Sequence, residues 1–186
     1  VFCLDVWRRR GRATLVQQQY AIRNPGGFEQ YDERHWGITA SNGPGNATRM
    51  VRGVRRRFFG YLARGVPDGP DDGTLAPWGV IASLPFSPDI VLPTIESMRH
   101  LPIGGEDHPY GFRATYNPTF LDSSESRGWW VSPYHCGLSQ GPIVVMIENY
   151  LSGLVWKLMR SDSHIVAGLR AAGYTGGWLS SPSSIE

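Results

Sequence analysis

The sequence is short of cysteine and of lysine: Cys3, Cys136 and Lys157 are all it has in 186 residues. Two cysteines so far apart make no disulfide framework, and neither has a neighbouring cysteine to complete a zinc or redox motif. No run of eighteen apolar residues occurs, which excludes a membrane-spanning helix. The start also lacks an apolar stretch of signal-peptide type. It opens on Val1 rather than Met and reaches an arginine cluster by Arg8, as a piece of something longer would. At 18% charged residues the chain is neither a disordered segment nor a charged coiled coil. What it does have is 41% apolar residues and seven tryptophans, enough for a core. The 23 glycines and 14 prolines predict many turns and short elements.

The net charge of +2 hides an asymmetry. Residues 1–64 hold twelve arginines against four acids, and residues 65–186 hold six bases against twelve acids. The clusters Arg8–Arg12 and Arg55–Arg57 have the composition of a phosphate or nucleic-acid surface. A solvated basic face, paired with the acidic half or with another segment, is the reading preferred here, and nucleic acid ranks last as a partner.

Five helical signals stand out. Residues 12–23 carry an approximate apolar face ended by Asn24-Pro25-Gly26-Gly27. Residues 74–84 are apolar nearly all round and rich in small residues, as a buried helix is. Ser87-Pro88-Asp89 reads as an N-cap, an N1 proline and a first-turn acid, opening an amphipathic helix to His100. The pair then repeats: an apolar segment 143–159 follows Ser139-Gln140-Gly141-Pro142, and Ser161-Asp162-Ser163 caps a helix stopped by Gly173. No strand pattern stands out. Inner helices alternating with outer ones, joined by long aromatic loops, predict an all-α fold of helical hairpins, with residues 180–186 as a flexible tail. A closed ring of six pairs needs ~350–450 residues, so this chain supplies about half.

His35, and His135 beside Cys136, lack ligand spacing, so no metal is expected. Gly43 to Asn46 lacks the lysine of a phosphate loop, and no cofactor is implied.

At its motifs the sequence resembles a known family. Trp36-Gly-Ile-Thr-Ala-Ser-Asn-Gly-Pro44, Asp71-Asp-Gly-Thr74, Ala82-Ser-Leu-Pro-Phe86, Asn117-Pro118 and the block Gln140 to Leu158 resemble, in order, the C-terminal half of the glucoamylase-like domain found in endo-β-1,2-glucanases and cyclic β-1,2-glucan transglycosylases. The resemblance runs through Trp178. It implies about half of an (α/α)6 barrel over residues 1–179, completed by an N-terminal half on a preceding segment or a separate chain. It also implies a cleft for a polysaccharide or oligosaccharide and a periplasmic or secreted location.

Glycoside hydrolysis needs two carboxyl groups. On this resemblance acids are expected where the chain has Asn42, Ala114 and Ser139, and, on a looser alignment, Arg8. The retained acids are Asp71, Asp72 and Glu148. Asp71 or Asp72 is the catalytic candidate, with Asp72 equally readable as the N-cap of the helix near Thr74. Ser139 and Glu148 are expected in structural or supporting roles, Glu148 in a buried pair with an arginine or a backbone N–H. Asn42, Arg113, Asn117 and Gln140 would hold sugar hydroxyls. Trp36, Tyr116, Trp129, Trp130 and Tyr134 would either stack on sugar rings or pin loops to the core. A glycoside hydrolase-like domain is the leading reading. The alternative is a non-catalytic glycan-binding or assembly module.

Overall fold

The computed structural model describes residues 2–104, 108–123 and 128–180, with side chains of 2–8 and 180 excepted, so the side chains of Cys3 and Arg8 and the tail after Ser180 lie outside what is described. Six helices are described: α1 (Phe2–Arg23), α2 (Pro77–Ile81), α3 (Pro88–Arg99), α4 (Gly137–Leu151), α5 (Leu154–Ser161) and α6 (Ser163–Ala171). Between them lie two antiparallel hairpins, β1 (Ala47–Val51) with β2 (Val54–Phe58), and β3 (Tyr116–Leu121) with β4 (Trp129–Val131). The fold is therefore helical with two small sheets, and the all-α expectation is corrected. The loops reach far enough from the helices that their backbone groups must pair with each other.

The helix signals hold with shifted ends. α1 stops at Asn24, whose φ of 42° leaves the helical region and whose side chain accepts from Phe28 N and donates to Phe28 O. The expected helix 74–84 shortens to α2, because Leu75 pairs as an extended residue with Tyr116 instead of joining the helix. α3 has Pro88 in its first turn and buries Val91, Thr94 and Met98. The expected run 143–159 breaks at Gly153 (φ 69°), and Asn149 Oδ1 accepts from Trp156 N across the break. Asp162 caps α6 by accepting from His164 N and Ile165 N.

The core gathers Trp36, Ile38, Leu75, Val80, Ile81, Val91, Met98, Tyr116, Trp129 and Ile143. Around it α1, α4, α5 and α6 leave much of their apolar surface open, including Leu138, Val144, Leu151 and Leu158. Among the described residues no helix is long and apolar enough to cross a membrane.

Candidate functional site

The site is built on a ribbon. The legs of the β1–β2 hairpin continue inward through Gly45 N–Phe59 O and Gly43 N–Gly60 O to the Ser41–Leu62 bridge. Arg64 fastens this base: Nη1 donates to Ser41 O (2.6 Å) and Nη2 to the carbonyls of Phe59 and Gly60 (both 3.3 Å). Gly43 lies so close under this guanidinium that a β-carbon there would collide with it and with Phe59 O. The charge is answered by Asp72. Its Oδ1 accepts from Arg64 Nε (2.7 Å) and Thr74 N, and its Oδ2 accepts from Arg64 Nη2 (2.8 Å) and Phe59 N. Both side chains are fully buried. Asp72 is thus a buried counter-ion to Arg64. It is not a helix cap, since Ala76 holds that position for α2.

The base of the ribbon forms one wall of a cavity of about 330 Å³. Ser41, Asn42 and Tyr61 line it from the ribbon, Ala114 and Thr115 from the approach to β3, Trp78 from α2, and Cys136, Leu138 and Ser139 from the start of α4. Thr115 Oγ1 donates to Asn42 O (2.8 Å), tying two walls together. Ala114 N and Ser132 N bind Tyr134 O and Thr115 O, which sets the loop carrying Tyr134 at this edge. The structure therefore brings Asn42, Ala114 and Ser139 into one cavity, although they are 97 positions apart in the chain at the extremes. Ser139 is buried in the first turn of α4, and Asn42 is exposed. Tyr61, 71% exposed, and Tyr134, 61% exposed, are the accessible aromatics here. No carboxylate occurs among the described lining residues. Sequence reasoning missed Ser41, Tyr61, Trp78 and Thr115; the pairing of residues 41 and 62 is the signal that would have found Tyr61.

Several expected site residues are spent elsewhere. Trp36 is buried and donates Nε1–H to Thr94 Oγ1 (3.0 Å), and Tyr116 and Trp129 pack on each other in the core. All three are buried and pin loops to the core. Trp130 packs against the small Val51–Phe58–Phe120 cluster. Asn117 is fully buried; its Nδ2 donates to Asp72 O and Thr74 Oγ1, and its Oδ1 accepts from Thr119 N and Phe120 N. Arg113 donates to Pro133 O and bonds His108 Nε2, and Gln140 donates to Phe112 O. Glu148 bonds Ser152 Oγ on the next turn of its own helix instead of the expected arginine or N–H partner.

Asp71 is the other retained acid, and it sits outside the cavity lining. Its Oδ1 accepts from Tyr31 Oη (2.9 Å) and Gly73 N (3.0 Å), while Oδ2 is buried with no hydrogen bond. Burial pushes its pKa up, only partly opposed by the Gly73 and Tyr31 hydrogen bonds. Burial and the Asp71 charge in turn push Tyr20 up to about 12. His35 Nδ1 lies 2.9 Å from the Asp32 carboxylate, and His135 stacks on His108 at 4.6 Å. Burial, then the charges of Arg113 and His108, lower the pKa of His135. Among the described residues no three His, Cys, Asp or Glu side chains are grouped to hold a metal.

The glycoamylase family model, described as putative glucoamylase, matches residues 1–163. An exo-β-1,2-glucooligosaccharide sophorohydrolase (non-reducing end) of Parabacteroides distasonis is 34% identical over 158 residues, 83% of this chain and 18% of that protein. A putative glucoamylase from Bacteroides uniformis superposes with a TM-score of 0.71 at 34% identity, over 89% of this chain and 34% of that one. An endo-β-1,2-glucanase from Chitinophaga pinensis, solved with sophorotriose and glucose, gives 0.74 at 27% identity, over 94% and 37%. The chain thus spans less than a fifth of the curated relative and little more than a third of the two solved structures.

Proposed function

From the premise that this chain belongs to the glycoamylase family, we propose that it forms one wall of the cleft of a glycoside hydrolase-type domain that takes β-1,2-linked glucan. The rest of the domain, about half of an (α/α)6 barrel, lies on other residues of the intact protein or on a second chain. The observation that carries this is the single cavity joining Ser41, Asn42, Thr115 and Ser139 with the exposed Tyr61 at its side. Hydroxyl and amide groups exchange hydrogen bonds with sugar hydroxyls, and an aromatic face sheds water together with the apolar face of a sugar ring. The activities of the sophorohydrolase and the endo-β-1,2-glucanase, both directed at β-1,2-glucans, support the linkage.

The wall is neutral. Hydrolysis requires a proton donor and a second carboxylate, and Asp72 is locked to Arg64. Any catalytic pair therefore comes from outside this wall, and the wall's own part is to bind and orient the glucan. The second reading, a cleft that binds without cleaving, is favoured by one observation: the three positions where acids are expected from the family resemblance, Asn42, Ala114 and Ser139, share this cavity.

Calorimetry of the intact protein with a linear β-1,2-glucooligosaccharide, alongside a reducing-sugar assay, tests both. Binding weakened about tenfold or more by Tyr61→Ala is expected, on the scale of a lost aromatic contact. Turnover selects the first reading and binding without turnover the second. Absence of binding to any β-1,2-glucan would overturn both.

A further inference from the structure

The β1–β2 hairpin carries five arginines, Arg49, Arg52, Arg55, Arg56 and Arg57, around a two-residue turn at Arg52-Gly53. Its register sets Arg49 directly opposite Arg56. Like charges in that position destabilise a hairpin, so folding alone does not favour the arrangement. The acidic half of the chain does little to neutralise it. Among the described residues one ion pair reaches the hairpin, Arg52 Nη2 to Glu29 Oε2 at 3.1 Å. Arg49 and Arg56 are held by carbonyls and rings: Arg49 by Leu121 O and Phe120, Arg56 by Gly26 O, Gly27 O and Phe28. Those bonds fix the guanidiniums in place and leave their charge uncancelled. Arg55 and Arg57 stand two residues apart on the opposite, exposed face, beside Thr48 and Met50, with Arg57 laid over Phe59.

This hairpin is the outer end of the ribbon whose base lines the cavity. At the rise of an extended strand, Arg57 and Arg55 lie ~13 and ~20 Å along the ribbon from Tyr61. We propose that the hairpin is a second, electrostatic subsite, which holds an anionic group on the saccharide occupying the cleft: a carboxylate or phosphoryl substituent on the glucan. The saccharide part of this assignment rests on the proposed function; the anion part rests on the hairpin alone. A bound anion would accept hydrogen bonds from Arg55 and Arg57, the planar donors best suited to carboxylate or phosphate, on the face that no ion pair among the described residues neutralises.

Calorimetry of the intact protein with a carboxymethylated linear β-1,2-glucan and with its unsubstituted parent, at low and high salt, is the test. The charged glucan should bind about tenfold tighter at low salt and lose that advantage at high salt. R55A/R57A should lose it as well while binding the parent as before. Equal affinity for both glucans, or an advantage that survives R55A/R57A, overturns the proposal. So does equally tight, Arg55- and Arg57-dependent binding of DNA or anionic vesicles, which would assign the hairpin to another polyanion. Loss of binding to the parent alone counts against the cleft reading and leaves the anion subsite supported if the charged glucan still binds through the two arginines.

Discussion

Asp72 illustrates how the same carboxylate changes meaning between sequence and structure. In the chain it follows Asp71 in a Gly/Pro-rich loop, which suits a cleft acid or a cap. In the fold it takes four hydrogen bonds, two of them from one guanidinium. Asp72→Asn leaves Arg64 buried without its counter-charge and is expected to cost ~3–5 kcal/mol of stability, read from urea denaturation of the intact protein. Any activity it lowers should fall with the folded fraction. An unchanged urea midpoint in D72N would contradict the ion-pair account. His135 supplies a pH test. Its folded pKa is lowered, so below the unfolded value near 6.5 the unfolded chain takes up the proton first. Stability is therefore retained above that value and falls as the pH drops through it. His135→Gln should flatten the acid limb of the stability–pH curve between pH ~7 and ~5, and an unchanged limb would rule out this contribution. In the sequence Arg113, Asn117 and Gln140 look alike as polar candidates for sugar hydroxyls. Only three-dimensional pairing reveals that each already has a partner within the chain.

At the level of elements, punctuation was legible and pairing was not. The stop at Asn24-Pro25, the proline start of α3 and the Asp162 cap each depend on a few adjacent residues, and each is where the sequence indicates. The hairpins escape because their signals are atypical. Arginines occupy both faces of β1–β2, erasing the apolar alternation, and the positive-φ turn uses Arg52-Gly53 instead of Asn-Gly. β3 is buried along nearly its whole length, so it shows no period-2 pattern. The break at Gly153 was missed for a related reason: apolar residues continue through it, and the Asn149–Trp156 bond that stabilises it joins positions seven apart. Of the site, Asn42, Ser139 and Tyr134 were legible as motif-loop residues, whereas Tyr61 depends on a strand pairing that no local pattern announces.

At the level of the molecule, the uncovered helices are the dominant feature. Leu138 (89% exposed), Leu151 (72%) and Leu158 (60%) lie on α4 and α5, whose composition suits burial. Covering each is worth ~1.5–3 kcal/mol, which is the energetic argument for further helices docking on this side. Expressed alone, residues 1–186 should self-associate and bind a hydrophobic dye, as contiguous apolar surface does. In the intact protein, Leu151→Asp should lower the melting temperature by several degrees. A monodisperse, dye-silent fragment together with an unaffected L151D variant would show that nothing docks there. The apolar run 143–159, broken at Gly153 into two helices, thus leaves one side open in this chain.

The guanidinium of Arg64 touches both legs of the ribbon at once, at Ser41 on one side and at Phe59 and Gly60 on the other. Neither leg can peel away alone without leaving a buried N–H of the same guanidinium unpaired. The amides of Ser41, Gly43, Gly45 and Leu62 are therefore expected to exchange as one unit with a shared opening free energy. The cavity wall and the arginine hairpin beyond it accordingly appear and vanish together, as a single cooperative module within the larger domain.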